Sequence, residues 1–160
     1  MSGDHQRIDM TADLTPRPRV WMEGLRRPLL ADMTQLAELM VAAYAGTVDD
    51  KGESVETALE EVNKTYSGEY GIFLPHCSQI VERSGRIVSA TLLTYWQERP
   101  FVAFTMTLPT WQRRGLARNC LVNAMRDVLL GGGDKLSLVV TLANEPALRL
   151  YQQLHFVPGR

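Results

Sequence analysis

Arg113, Arg114 and Arg118 bring three positive charges into six residues that also hold Gly115, Leu116 and Ala117. The stretch lies where the sequence changes character. β-Branched and aromatic residues run from Phe101 to Leu108, Pro109 interrupts them, and Gln112-Arg113-Arg114-Gly115-Leu116-Ala117 opens a segment of helical periodicity. The first turn of a helix carries backbone N–H groups without intrahelical acceptors, and the aligned peptide dipoles add positive potential there. Small residues at 115 and 117 let a ligand approach that backbone. Such a segment can cradle a diphosphate on amides and guanidiniums; a solvated basic helix start has the same composition. Neither a Gly-Lys-Ser/Thr phosphate loop nor a Gly-x-Gly-x-x-Gly dinucleotide turn is present.

A second group lies on the last helical segment. Asn144 stands at an N-cap before Glu145 and Pro146, and Tyr151 follows on the apolar stripe of Ala147, Leu150 and Leu154. A phenol titrates near ~10, is neutral at pH 7, and can donate a proton or a hydrogen bond. By spacing alone, however, Asn144 reads as a cap and Tyr151 as a core residue. A third feature is electrostatic. Asp49, Asp50, Glu53, Glu56, Glu60 and Glu61, offset only by Lys51, surround the start of the second helix. A cationic ligand is drawn to such a surface, although a solvated helix face looks the same.

The elements that must hold these groups alternate between helix and strand. Residues 1–18 are polar, end in Pro16 and Pro18, and read as a flexible arm; 19–160 form one domain. Val20–Arg27 reads as a short strand. Asp32 and Gln35 match a capping box before a helix over Met33–Tyr44, which Gly46 stops, and a second helix begins near Ser54. Gln79–Glu82, Arg86–Tyr95 and Phe101–Leu108 form an antiparallel meander, with Ser84-Gly85 and Gln97-Glu98-Arg99-Pro100 as its interruptions. Gly115–Leu130 is a helix stopped by Gly131-Gly132-Gly133. Leu136–Leu142 is continuously apolar, as in a strand covered on both faces, and Asn144 caps the final helix.

Composition narrows the function classes. The 160 residues are 45% hydrophobic and 22% charged, ordinary values for one globular domain. Lys plus Arg (17) against Asp plus Glu (18) gives a net charge of −1, which argues against a nucleic-acid binder. No apolar run approaches the ~20 residues that span a bilayer, and the N-terminus has no apolar signal core; a cytoplasmic location is expected. Two cysteines are too few for a disulfide scaffold, and His5, His76 and His155 are too scattered to suggest a metal site.

The passage from strand through Pro109 into Gln112-Arg113-Arg114-Gly115-Leu116-Ala117 is similar to the Arg/Gln-x-x-Gly-x-Gly/Ala signature of the GNAT superfamily of acetyl-coenzyme-A-dependent N-acyltransferases. Asn144-x-x-Ala147-x-x-Leu150-Tyr151-x-x-x-His155-Phe156 resembles that family's Asn-x-x-Ala-x-x-Leu-Tyr-x-x-x-Gly-Phe helix, and Arg27-Pro28 followed by Asp32 is a weaker third match. The resemblance covers Val20 to Phe156. It implies an α/β fold with a central, mostly antiparallel twisted sheet flanked by helices, here without the family's last two strands because the sequence stops at Arg160. It also implies transfer of an acetyl group directly from acetyl-coenzyme A to a primary amine of a small molecule, protein or peptide.

Residue by residue, the resemblance implies that the backbone of Thr105, Met106 and Thr107 meets the pantetheine arm. The segment Arg113, Arg114, Gly115, Leu116, Ala117 and Arg118 would hold the diphosphate. Asn144 would orient the cofactor arm or a water, and Tyr151 would protonate the leaving thiolate. The ribosomal-protein alanine acetyltransferase branch carries a glutamate base where this sequence has Val139, so the base stays unassigned among Glu98, Glu69 and Glu23. His155 replaces the usual glycine at a helix end. Without the last two strands the fifth strand of the family's sheet would be an open edge, which implies a homodimer. Two further readings compete: an inactive acyl-coenzyme-A-binding regulatory module, and a nucleotide-phosphate binder unrelated to coenzyme A.

Overall fold

A computed structural model of the chain describes residues 6–159. In order, these form β1 (Arg7–Asp13), β2 (Leu25–Arg26), α1 (Met33–Tyr44), α2 (Val55–Ser67), β3 (Ile72–Phe73), β4 (Gln79–Arg83), β5 (Arg86–Trp96), β6 (Arg99–Thr107), α3 (Leu116–Leu130), β7 (Lys135–Thr141), α4 (Glu145–Gln153) and β8 (Val157–Pro158). One open sheet runs β2-β4-β5-β6-β7-β1-β8, with β3 paired to β5 off that path. Every pairing is antiparallel except β6 with β7. This is the mixed α/β, mostly antiparallel architecture expected from the sequence. No helix among the described residues is long and apolar enough to cross a membrane.

Local chemistry explains the meander. Ser84-Gly85 and Gln97-Glu98 both place two successive residues at positive φ (53° and 77°; 51° and 66°). That is the type I′ geometry whose twist matches paired strands. Because Gln97 and Glu98 alone complete the second turn, Arg99 and Pro100 join β6 rather than the loop. The core forms two clusters. One gathers α1 and α2 over β4 and β5, with Leu36, Met40, Val62, Ile80 and Leu92 fully buried. The other joins β1 and β7 to α3 and α4, with Met10, Leu121, Leu136 and Phe156 at its centre. Helix α3 serves both, through Leu116 and Cys120 on one side and Leu121 and Met125 on the other.

Three expectations change. The arm expected over 1–18 contains a strand: β1 pairs with β7 along its whole length, Arg7 opposite Thr141 to Asp13 opposite Lys135. (Residues 1–5 lie outside the described residues.) The edge of β7 is therefore covered, which removes the reason given for a homodimer. The strand expected over Val20–Arg27 is only Leu25–Arg26, because just those residues form registered pairs with β4. The capping box also does not form. The Asp32 carboxylate accepts from Leu29 N and from Arg26 Nη1 and Nη2 at 2.7–2.9 Å, while Gln35 Oε1 accepts Ile87 N–H at 3.0 Å. Asp32 is thus a tie between the β2 region and α1.

The feature that positions the site is a split in the sheet. Among the described residues β6 and β7 share one registered pair, Phe101 with Ser137. Just beyond it β6 carries a bulge: Leu92 faces Phe104 and Leu93 faces Val102, leaving Ala103 as the extra residue. A bulge bends its strand and sharpens the local twist. From there β6 stays on β5 while β7 stays on β1, and a cleft opens between them.

Candidate active site

The cleft has a volume of about 980 Å³. Its walls are β6 from Val102 to Thr107 and β7 from Leu138 to Thr141, with the start of α3 at one end and the α1–α2 loop at the other. Thr105, Met106, Thr107, Arg113, Gly115, Leu116, Ala117, Arg118, Asn144 and Tyr151 all line it. The fold therefore brings to one cavity residues that the sequence spreads from 105 to 151. Arg114 is the exception among the expected site residues. Its guanidinium lies 4.4 Å from the Trp111 ring centroid, and that cation–π contact turns it away from the cleft lining.

The segment expected to cradle a phosphate has a defined backbone. Gly115 is the N-cap of α3, in the left-handed region at φ 76°, and no side chain caps this helix. Arg113 also lies at positive φ, 64°. Alternation of this kind turns successive N–H groups toward a common point and makes an anion-binding nest. A Cβ at Gly115 would meet only Asn119 Nδ2, at 3.8 Å. Glycine is thus needed for its φ rather than for packing, and the space beside it is free of protein. An uncapped helix start with open space in front of it fits a diphosphate. Of the two threonines, Thr105 Oγ1 pairs with Thr91 Oγ1 at 3.2 Å, and Thr107 Oγ1 with Ser89 Oγ at 2.9 Å, so both hydroxyls are engaged within the sheet.

At the other end, Asn144 does cap α4, with Oδ1 accepting Ala147 N–H at 3.3 Å. Its Nδ2 donates to Asp49 Oδ2 at 3.1 Å, and Thr141 Oγ1 donates to Asp49 Oδ1 at 2.8 Å. Tyr151 is buried and packs edge-on to Phe156, with centroids 5.8 Å apart. Burial, and then the charge of Asp49, pushes its phenol well above the ordinary range, so the proton stays on Oη. Tyr44, from the end of α1, also lines the cleft. Its phenol is pushed up by burial first and then by Tyr151, Asp49 and Glu53.

Sequence reasoning missed Asp49 and Tyr44 as site residues, although Asp49 belonged to the acidic group it noted. Of those six carboxylates, Asp49, Asp50, Glu53 and Glu61 line the cleft and Glu56 and Glu60 do not. None of the three base candidates does either: Glu98 is in the β5–β6 turn, Glu69 follows α2, and Glu23 precedes β2. His155 is exposed at φ 69° after α4, a helix-ending residue away from the cleft.

A split sheet, a nest at the following helix and a buried tyrosine on the last helix define an acyltransferase-type architecture. Residues 35–156 match the model of the acetyltransferase (GNAT) family, and the chain belongs to that family. No curated protein matches it significantly. Among solved structures it is similar to a GCN5-related N-acetyltransferase from Sphaerobacter thermophilus (TM-score 0.74, 19% identity, 96% of this chain and 48% of that one). It is also similar to the ribosomal-protein alanine N-acetyltransferase of Escherichia coli (0.68, 19%, 87% and 80%). A third is the aminoglycoside N-acetyltransferase AAC(6′)-Iy, solved with coenzyme A (0.65, 15%, 90% and 94%). The chain spans about half the length of the first of these.

Proposed function

We propose that the chain is an acetyl-coenzyme-A-dependent N-acetyltransferase acting on a primary amine of cationic character, in the cytoplasm. The observation that carries this reading is the parting of β6 from β7 after Phe101–Ser137, which opens a cleft leading to the uncapped start of α3. The free edge of β6 at Thr105, Met106 and Thr107 suits an extended amide-bearing arm. The amides from Arg113 to Arg118, with the Arg113 and Arg118 side chains, suit a diphosphate. When bound, acetyl-coenzyme A supplies the acetyl group as an activated thioester.

The chain's own residues then hold and move protons. Tyr151 Oη keeps its proton at neutral pH and can deliver it to a departing thiolate sulfur. Asn144 fixes the start of α4 and with it the position of Tyr151, about two helical turns on. The acceptor nitrogen must be neutral to attack, and holding both reactants in one cleft lowers the entropic part of the barrier. Four carboxylates at the loop end favour an amine that carries positive charge.

Calorimetric titration with acetyl-coenzyme A, with ATP as comparison, tests the cradle. Thiol release with a panel of amines tests transfer. Tyr151→Phe is expected to cut turnover about a hundredfold while leaving acetyl-coenzyme A binding unchanged. ATP binding as well as the thioester would overturn the donor assignment. The apolar run Leu138-Val139-Val140 provides no carboxylate base on β7, and thioester binding without turnover on any amine would favour an acyl-coenzyme-A-binding module instead.

A further inference from the structure

Asp49 carries a charge that the protein leaves unmatched. Its carboxylate is half-buried at the loop end of the cleft and is oriented by two neutral donors, the Thr141 hydroxyl at 2.8 Å and the Asn144 amide at 3.1 Å. The other carboxylates of the lining whose partners are known are used differently. Asp50 folds back on Gly46 N and Gly52 N, both at 2.8 Å, and Glu61 accepts the Tyr70 hydroxyl at 2.8 Å and pairs with Lys64. Among the described residues Asp49 forms no ion pair, although Arg7 and Lys51 also line the cavity. A carboxylate taken partly out of water is normally compensated by a cation, and one with two fixed bonds still has lone pairs to offer.

We infer that Asp49 is a specificity-determining residue that binds a second, protonated nitrogen of the acceptor, so that the preferred substrate is a diamine or polyamine. This rests on the acetyltransferase reading of the cleft. The reacting nitrogen must shed its proton, so a carboxylate gripping that same nitrogen would hold it in the unreactive form. A second nitrogen bears no such conflict: it stays charged on Asp49 while the first reaches the Tyr151 side of the cavity. Thr141 closes β7 and Asn144 opens α4, so the anchor is fixed to the same corner that positions Tyr151.

Asp49→Asn is an isosteric test. The new amide can accept from Asn144 and donate to the Thr141 hydroxyl, keeping both bonds and removing only the charge. The probes are 1,4-diaminobutane and butylamine, compared by thiol release in the wild-type chain and the variant, with calorimetric titration of acetyl-coenzyme A as a separate readout. Wild type should show a kcat/KM for the diamine at least tenfold above that for butylamine, and Asp49→Asn should erase that difference. Acetyl-coenzyme A affinity should stay within twofold. Equal kcat/KM of the two amines in wild type, or equal loss for both in the variant, would overturn the anchor and leave Asp49 a loop tether. Neither result touches the acetyltransferase reading, which falls if acetyl-coenzyme A fails to bind or if no amine is turned over.

Discussion

Replacement of Gly115 by alanine separates the backbone's role in the cradle from its role in folding. At φ 76° an L-residue suffers the left-handed penalty, about 1–2 kcal/mol. No steric cost adds to it, because the new Cβ would meet only Asn119 Nδ2 at 3.8 Å. The expected drop in melting temperature is roughly 2–8 °C for a chain of this size. Gly24 is the contrast: a Cβ there would collide with the carbonyl oxygen of Glu82, and Gly24→Ala should cost about 3 kcal/mol. Arg113→Gly runs the other way. Relief of its left-handed strain is offset by the entropy that glycine adds to the unfolded chain, so stability should move by less than about 0.5 kcal/mol. In calorimetric titration with coenzyme A, Gly115→Ala should weaken binding about tenfold or more, since its methyl enters the space before the nest. Thermal melts that show the stability loss while coenzyme A affinity is unchanged would refute the cradle. Weakened binding with no loss of melting temperature would refute the conformational argument.

Other expectations follow from buried ionisable groups. Burial works to raise the Asp32 carboxyl, but hydrogen bonds from Arg26 and from Leu29 N–H outweigh it and hold the group below its usual range. Its stabilising contribution is therefore present above the unfolded carboxyl's pKa, near ~3.9, and is lost as pH falls through the lower folded value. Acid titration of the melting temperature should fall more steeply below about pH 4 for wild type than for Asp32→Asn, and parallel curves would contradict this. Burial also pushes the Cys77 thiol up to about 11 and the Cys120 thiol up to about 12. Neither should react with a thiol reagent at pH 7.5 until denaturant is added, when both should.

What was legible in the sequence was local. Helices α1 and α3 have one apolar face and clear glycine stops, and the meander has turn residues that match its two-residue hairpins. Strand β1 was illegible because Arg7-Ile8-Asp9-Met10-Thr11-Ala12-Asp13 is polar at its ends and its partner lies at the far end of the sequence, with Arg7 opposite Thr141. No turn signal announces such a pairing. Val20–Arg27 erred in the opposite sense: its Val, Met and Leu suggested a strand, yet Val20 N–H and C=O are taken by the Asn123 side chain at 2.8 Å each, leaving just two residues for β4. Charge counting could not show that the Arg114 guanidinium stacks on the Trp111 ring. Asp49 was one acid among six until Thr141 and Asn144 singled it out.

The split of the sheet shows why these failures and successes belong together. Two strands that pair once and then part need a reason to part, and composition provides none: both β6 and β7 are apolar enough to continue side by side. The reason is distributed. Ala103 bulges out of β6, which keeps registered pairs with β5 as far as Thr107 opposite Ser89. Strand β1 meanwhile claims β7 from the other side over all seven of its residues. Each strand is held by its outer neighbour, so their facing edges are left without strand partners over the length of the cleft. Unpaired N–H and C=O groups in a sheet interior are costly unless something else satisfies them. A bound chain of alternating amides would do so in the manner of an added strand. The polar N-terminal segment that reads as a flexible arm in the sequence is thus a structural condition for the cavity, through the hold that β1 keeps on β7.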